Sequence, residues 1–543
     1  MGLGILNDRA GLHQVPGTVV LTEINQQTRG NDEQVKRGTG RHKHIILTPQ
    51  PSNDPNDPLN WAYYKKVTIV AILVLGACLN AATVGPLLST SIVVLAQELQ
   101  RPLADITLLT GYNTVVAGAS CPLTSALATK YGKRPVFLFS SLACLVGSII
   151  GSFSQTYNTL LAARIIQGLG FASYESLTFT TIGDLFYVHE RGFWINVIAF
   201  TLTGVSNMSS IITGPVTLNL GWHYLFHLLV AFSGFQAILL FFFTPETTYI
   251  RAPSFHQQPS LDAVESEKSS PTPEHIESAT VSLHSPPPAK TFWQEMAICT
   301  GVYSNESLLT LLLGPFLCLT NVAALWIVTT TGIVTSFYVA ISYTVAQLFS
   351  VLPYSLSTAE VGYLSVGPFL GGIIGSVLVA LTTDRVIVAM TKRNNGIYEP
   401  EFRLPLVAFG LSLTAGLCSF GSLSQATGNI YLIDFMWGLT IVGICFVTGP
   451  CSSYAIDAFR GMSNEIFVAN VMFKNFLFFG YSYFINDWVT SGGPADPFYI
   501  FGGISAALIL TTIPVYVFGK RYRSLWYRHN VMERLKIKVP SDI

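Results

Sequence analysis

The stretch Leu308–Thr320, LLTLLLGPFLCLT, decides how this 543-residue chain is threaded. It is apolar, but it is too short: crossing a hydrocarbon core about 30 Å thick takes roughly 20 apolar residues, and here Gly314-Pro315 interrupts the run. We read it as an interfacial lead-in helix. Runs of full length lie on either side of it. Six come before, near 67–89, 105–127, 135–154, 158–182, 194–218 and 223–244, and six come after, near 322–346, 361–383, 404–424, 431–454, 466–487 and 498–518. Counting Leu308–Thr320 as a span gives thirteen, and leaving it out gives twelve. Charge separates the two readings, because cytoplasmic loops carry the excess of Lys and Arg. With twelve spans, Lys65, Lys66, Lys130, Lys133, Arg134, Arg191, Arg403, Arg460, Lys520, Arg521 and Arg523 all fall inside, and the outer loops hold only Arg101. Thirteen spans would move the basic C-terminal cluster to the wrong side. The sequence therefore predicts an all-α polytopic membrane protein of two six-helix bundles with both termini cytoplasmic.

The composition agrees. Half the residues are apolar and 11% are charged, against roughly a quarter charged in a soluble domain. Zero net charge removes the basic surface that nucleic-acid binding requires. The eight cysteines sit mostly inside apolar runs without C-x-x-C spacing, so neither a disulfide framework nor a metal site is expected. The expected organisation is a disordered cytoplasmic tail over 1–64, bundles over 65–249 and 306–519, a Ser/Pro/Glu-rich linker over 250–305, and a tail over 520–543.

Charges inside a bilayer are costly and mark function by default. In the fourth span Arg164, Phe171 and Glu175 fall within about 20° of one face at 100° per residue, with Gln167 and Tyr174 nearby. Arg164 and Glu175 are about 16 Å apart along the axis, too far to pair. Lys474 lies deep in the eleventh span, suited to an anionic substrate or to a carboxylate that fixes packing. We assign Arg164 and Glu175 to proton coupling, centred in the first bundle, because a carboxylate in a low-dielectric surround is suited to carrying a proton. A substrate cavity is expected from Asn80, Gln167, Phe171, Tyr174, Asn207, Trp326, Tyr338 and Lys474, with the amides equally suited to joining helices. Gly214-Pro215 is expected to bend or unwind the fifth span.

Several segments together resemble the major facilitator superfamily, in particular its fungal twelve-span drug:proton antiporter-like group. They are Asp57-Pro58-Leu59-Asn60-Trp61, Tyr131-Gly132-Lys133-Arg134-Pro135, Arg164-Ile165-Ile166-Gln167-Gly168-Leu169-Gly170, Asp184-Leu185-Phe186 with His189-Glu190-Arg191-Gly192, Pro245-Glu246-Thr247-Thr248-Tyr249, and the run from Asn395 to Leu404. The likeness covers about residues 54–520. It implies the major facilitator fold, a cytoplasmic gate at Gly132, Lys133, Arg134, Asp184 and Arg191, and a proton-linked role for Arg164. The chain departs from the pattern at Ser125 and Thr129, where glycine and aspartate are usual, with Asp384-Arg385 as the expected compensation. It departs again at Val216-Thr217-Leu218, where a glycine pair would follow Gly214-Pro215.

The expected activity is proton-coupled export of drug-like or secondary-metabolite molecules by alternating access between the halves. The energy source is the proton gradient, with no cofactor and no metal. The protein is expected as a monomer in the plasma membrane or the vacuolar membrane, its partners being lipid and a small-molecule substrate. Uptake of a small nutrient such as an amine, polyamine or vitamin is the alternative. A sensor would carry a folded signalling tail. A lipid enzyme would need converging catalytic groups, which His223 and His227 lack.

Overall fold

The computed structural model describes residues 18–20, 52, 54–249, 290–394 and 397–529. Among them run twelve long helical rods at the expected places. The first is Tyr63–Thr83, the second Leu103–Tyr131, the third Lys133–Ser152 and the fourth Tyr157–Leu185. The fifth runs from Val188 to Leu220 and the sixth is His223–Phe243. The seventh to twelfth are Val322–Phe349, Thr358–Arg393, Pro400–Gln425, Ile430–Ala458, Ser463–Gly492 and a last rod from Ala495 to Arg528. Leu308–Leu317 is a separate ten-residue helix that packs on the second and eleventh rods.

Local chemistry sets the ends of the rods. Asn321 caps the seventh by accepting from Ala323 and Ala324 backbone N–H at 2.9 and 3.2 Å, and Ser357 with Glu360 forms a capping box at the eighth. Ahead of the first rod, Asp57 accepts from Leu59 N–H at 3.0 Å, and Lys66 donates to the Leu59 carbonyl at 2.9 Å. The Asp-Pro-Leu-Asn-Trp stretch is thus a folded lead-in within the expected tail. Most of residues 1–64 lie outside the described residues, yet Val19–Val20 (β1) pairs antiparallel with Ile397–Tyr398 (β2). The expected C-terminal tail also begins as helix, since the twelfth rod continues to Arg528. Residues 250–289 of the linker lie outside the described residues.

Each half buries its own apolar core. Phe137, Phe171 and Phe186 belong to the core of the first half, and Phe337, Phe420 and Phe498 to that of the second. The halves meet along two seams. In one, the second rod lies against the eleventh. A Cβ on Gly118 would come within 3.0 Å of Asn475 Cβ and 3.2 Å of the Met472 carbonyl, and Asn486 donates to Thr107 at 2.7 Å. In the other, the fifth rod meets the eighth. A Cβ on Gly214 would lie 2.7 Å from the Thr358 carbonyl, and one on Gly362 would lie 2.6 Å from the Ser210 carbonyl. This second contact is at the end of the bundle opposite the lead-in, here called the far end, and the lead-in marks the tail end.

Gly214-Pro215 does not unwind the fifth rod: the helix runs through it to Leu220, and a π-turn lies at Thr201–Val205. Gly214 is small because another backbone crosses it. Gly214→Leu is expected to lower the unfolding temperature in detergent, with an overpacking cost of about 1–3 kcal/mol. Gly503→Leu, where a Cβ meets nothing within 4 Å, is the control and should leave the unfolding temperature unchanged.

Candidate functional site

Among the described residues, nine of the rods are long and apolar enough to cross a membrane on composition alone. The other three are the second, fourth and eleventh. They are the polar ones, and they converge between the halves around a small apolar patch of Cys121, Ala172, Val468 and Val471. One turn further along the fourth and eleventh rods, Glu175 of the first half forms an ion pair with Lys474 of the second. Asn475 Nδ2 donates to the same carboxylate at 2.9 Å. The Glu175 side chain is 8% exposed and that of Lys474 18%, so the pair is largely desolvated. Of the alternatives for Lys474, the structure takes the carboxylate. Glu175, assigned above to the first bundle, is thus held by the opposite half.

Arg164 and Glu175 share a helix but no partner. Arg164 is fully buried and donates to Gln167 Oε1 at 3.0 Å and to the Gly85 carbonyl at 3.2 Å. Several other expected cavity residues turn inward into the first bundle. Asn80 donates to Gln236 at 3.2 Å, Gln236 donates to Tyr174 Oη at 3.1 Å, and Ser141 bonds both Tyr174 and Gln236. Gln167 donates to Ser148 at 3.0 Å, and Phe171 packs in the apolar core. Trp326 is turned away from the centre, its indole N–H donating to Thr511 at 2.8 Å. Asn80, Gln167, Phe171, Tyr174 and Trp326 are therefore corrected from cavity to packing positions. Helical period shows which face of a rod is polar, but not whether that face turns to its own bundle or to the opposite half.

Asn207 and Tyr338 do meet across the halves, the phenol donating to the amide oxygen. They line a central cavity of about 20 Å³ with Pro86, Ser89, Ser342 and Trp437 among its walls, room for about one water molecule. A larger cavity of about 310 Å³ lies at the tail end between Trp61, Tyr249 and Tyr303, away from the seams.

The expected gate residues form joints within the first half. Lys133 Nζ lies 2.5 Å from Asp184 Oδ2. Arg134 donates to the carbonyls of Thr244, Phe241 and Met296, the last two at 2.8 and 2.9 Å, gripping the C-terminal end of the sixth rod where its dipole is negative. Arg191 donates to the carbonyls of Phe186 and Gly183. Gly132 has φ +97°, and a Cβ there would lie 2.3 Å from Glu246 Oε2. That carboxylate accepts the Lys133 and Arg134 backbone N–H groups, each at 3.0 Å, and so caps the third rod.

Asp384 and Arg385 are exposed and do not join this network. The counterpart in the second half is one that the sequence reading did not assign. Asp457 accepts from Tyr398 at 2.5 Å and Arg403 at 2.8 Å. Lys520 donates to Glu399 at 2.7 Å, and Arg523 binds Glu401 through two nitrogens at 2.9 and 2.7 Å. Burial raises the Glu399 carboxyl above its usual range, and Lys520 opposes the shift. The signal was present in the run Tyr398-Glu399-Pro400-Glu401-Phe402-Arg403, whose alternating charges need partners once buried.

The family model for the Major Facilitator Superfamily matches residues 70–480. An uncharacterized MFS-type transporter of Schizosaccharomyces pombe is 24% identical over 98% of this chain and 97% of its own length. The efflux pump dotC of Dothistroma septosporum is 29% identical over 133 residues, which are 24% of this chain and 23% of that protein. The crystal structure of a D-xylose-proton symporter matches with a TM-score of 0.56 at 15% identity, over 83% of this chain and 97% of that one. Two six-rod halves meeting at a polar seam, together with a family match over most of the length, settle the assignment: the chain belongs to the Major Facilitator Superfamily of multi-pass membrane transporters.

Proposed function

We propose that the chain exports small organic molecules from a fungal cell by proton-coupled alternating access, with its tail end in the cytoplasm. The observation that carries this reading is the Glu175–Lys474 pair, because its two members sit on opposite halves. Rocking the halves at the tail end separates the fourth and eleventh rods, and that motion must break the pair. A deprotonated Glu175 holds the rods together. A proton on Glu175 cancels the attraction and leaves Asn475 as a neutral partner, so the halves part. Removing one member of a buried pair costs about 3–5 kcal/mol, enough to shift a two-state equilibrium by more than a hundredfold.

Sidedness is supported by the basic residues gathered at the tail end, against Arg101 at the far end. The plasma membrane is the expected location. Export is supported by the resemblance of the fourth-span and loop motifs to the drug:proton antiporter-like group, and by the stretch shared with a protein named as an efflux pump. Alternating access is supported by the size of the central cavity, about 20 Å³. No organic molecule fits there until the halves move.

Accumulation of a compound panel in cells with the gene deleted or overexpressed, with and without a proton uncoupler, tests the transport reading. At least one compound should be retained more in the deletion strain, in an uncoupler-sensitive way; if none moves differently, the reading fails. For a compound that moves, Glu175→Gln should cut gradient-driven transport in proteoliposomes roughly tenfold or more while exchange without a gradient persists. Wild-type pH dependence in that variant would sink the coupling role. Lys474→Met should destabilise the protein by about 3–5 kcal/mol, and adding Glu175→Gln should recover most of the loss, since the double change leaves no unpaired buried charge.

A further inference from the structure

Arg164 presents a charge imbalance that the coupling pair does not use. It is fully buried, a guanidinium carries five N–H donors, and its acceptors are the neutral Gln167 amide and the Gly85 carbonyl. Its Nε is buried without a partner, and among the described residues no carboxylate pairs with it. Beside it are further polar groups without partners. Asn113 of the second rod is fully buried, and both its amide atoms are unpartnered. Its backbone meets the fourth rod at Gly168, one turn from Arg164, where a Cβ would lie 2.5 Å from the Asn113 backbone carbonyl. From the second half, the Tyr343 hydroxyl lies close enough to Arg164 to interact with it electrostatically.

Buried charges are paired, and buried amides find partners. Here a cation and an amide with unpartnered atoms lie on facing rods of the first half, and a hydroxyl of the second half, also unpartnered, interacts with the cation. The chain neighbours of Gly85 and Tyr343, namely Pro86 and Ser342, are walls of the central cavity. A planar guanidinium with free N–H groups matches the two oxygens of a carboxylate better than any neutral ligand. The amide N–H₂ and the phenol add donors to the same oxygens. We propose that Arg164, Asn113 and Tyr343 form a subsite for the carboxylate of an anionic substrate, an inference that rests on the transport reading above. Trp437 and Tyr338, on the cavity wall, suit an apolar or aromatic body attached to that carboxylate.

The test uses full-length protein in lipid nanodiscs and the rise in unfolding temperature with added ligand. The probes are 4-phenylbutyrate and its isosteric amide. Wild type should bind the acid at least about tenfold more tightly than the amide. Arg164→Gln should abolish that preference, Arg164→Lys should keep part of it, and Asn113→Leu, which leaves the charge in place, should reduce it severalfold. Equal binding of acid and amide by wild type overturns the subsite, whatever the folding of the variants, and so does a preference that survives Arg164→Gln. The cell panel separates the two readings. Uncoupler-sensitive movement confined to neutral or cationic compounds removes the subsite and leaves the transporter. Movement of no compound removes the transporter, and the nanodisc comparison still judges the subsite.

Discussion

Polar side chains dissolved in hydrocarbon must find their partners inside the protein, and this constraint organises the whole molecule. The ion pair of Glu175 with Lys474 is its central case. Neither group could face lipid, and neither could be buried alone without several kcal/mol of penalty. Each is tolerable because the other exists on the opposite half. A bond of that kind joins two bodies only while both charges persist, so it stabilises a closed seam without making it permanent. Apolar packing over the same area could not be switched by a proton.

The same constraint ties each half into a unit. At the tail end, Lys133 with Asp184, Arg134 with the Phe241 and Thr244 carbonyls, and Glu246 at the start of the third rod tie the first bundle to itself. Arg403 with Asp457, and Glu399 and Glu401 with Lys520 and Arg523, do so in the second. The loop stretches singled out in the sequence thus become joints within halves. Rigid halves are what a rocking mechanism needs, since motion absorbed inside a bundle would not reach the seam.

How far the sequence could be read follows from what each signal encodes. Length and apolarity located the rods to within a few residues at most ends, and the loop charges chose twelve over thirteen. Both signals are local, so one chain suffices to read them. The pairing of Glu175 with Lys474 was not legible, because about 300 residues separate them and helical period says nothing about which rod is opposite. The same limit misplaced Asn80 and Tyr174, which bond inward to Gln236, and Trp326, which reaches Thr511. It also hid Asp457, Glu399 and Glu401, whose partners lie on other rods. Gly214 was legible as special but not why: φ is ordinary there, and the reason is the Thr358 backbone on the other half.

The two seams differ in kind, and the difference bears on which can open. At the far end Gly214 of the fifth rod and Gly362 of the eighth bring the backbones of the two halves into contact. These are neutral contacts of short reach, lost completely once the rods separate by the width of a methyl group. The seam of the second, fourth and eleventh rods holds charge and amides, whose attraction falls off slowly with distance and whose groups water can solvate as it enters. The first kind of seam closes by shape and the second by charge, so in the proposed coupling protonation acts directly on the second alone. The proposed rocking couples them: with each half tied to itself, loosening the charged seam changes the angle at which the glycine contact must fit.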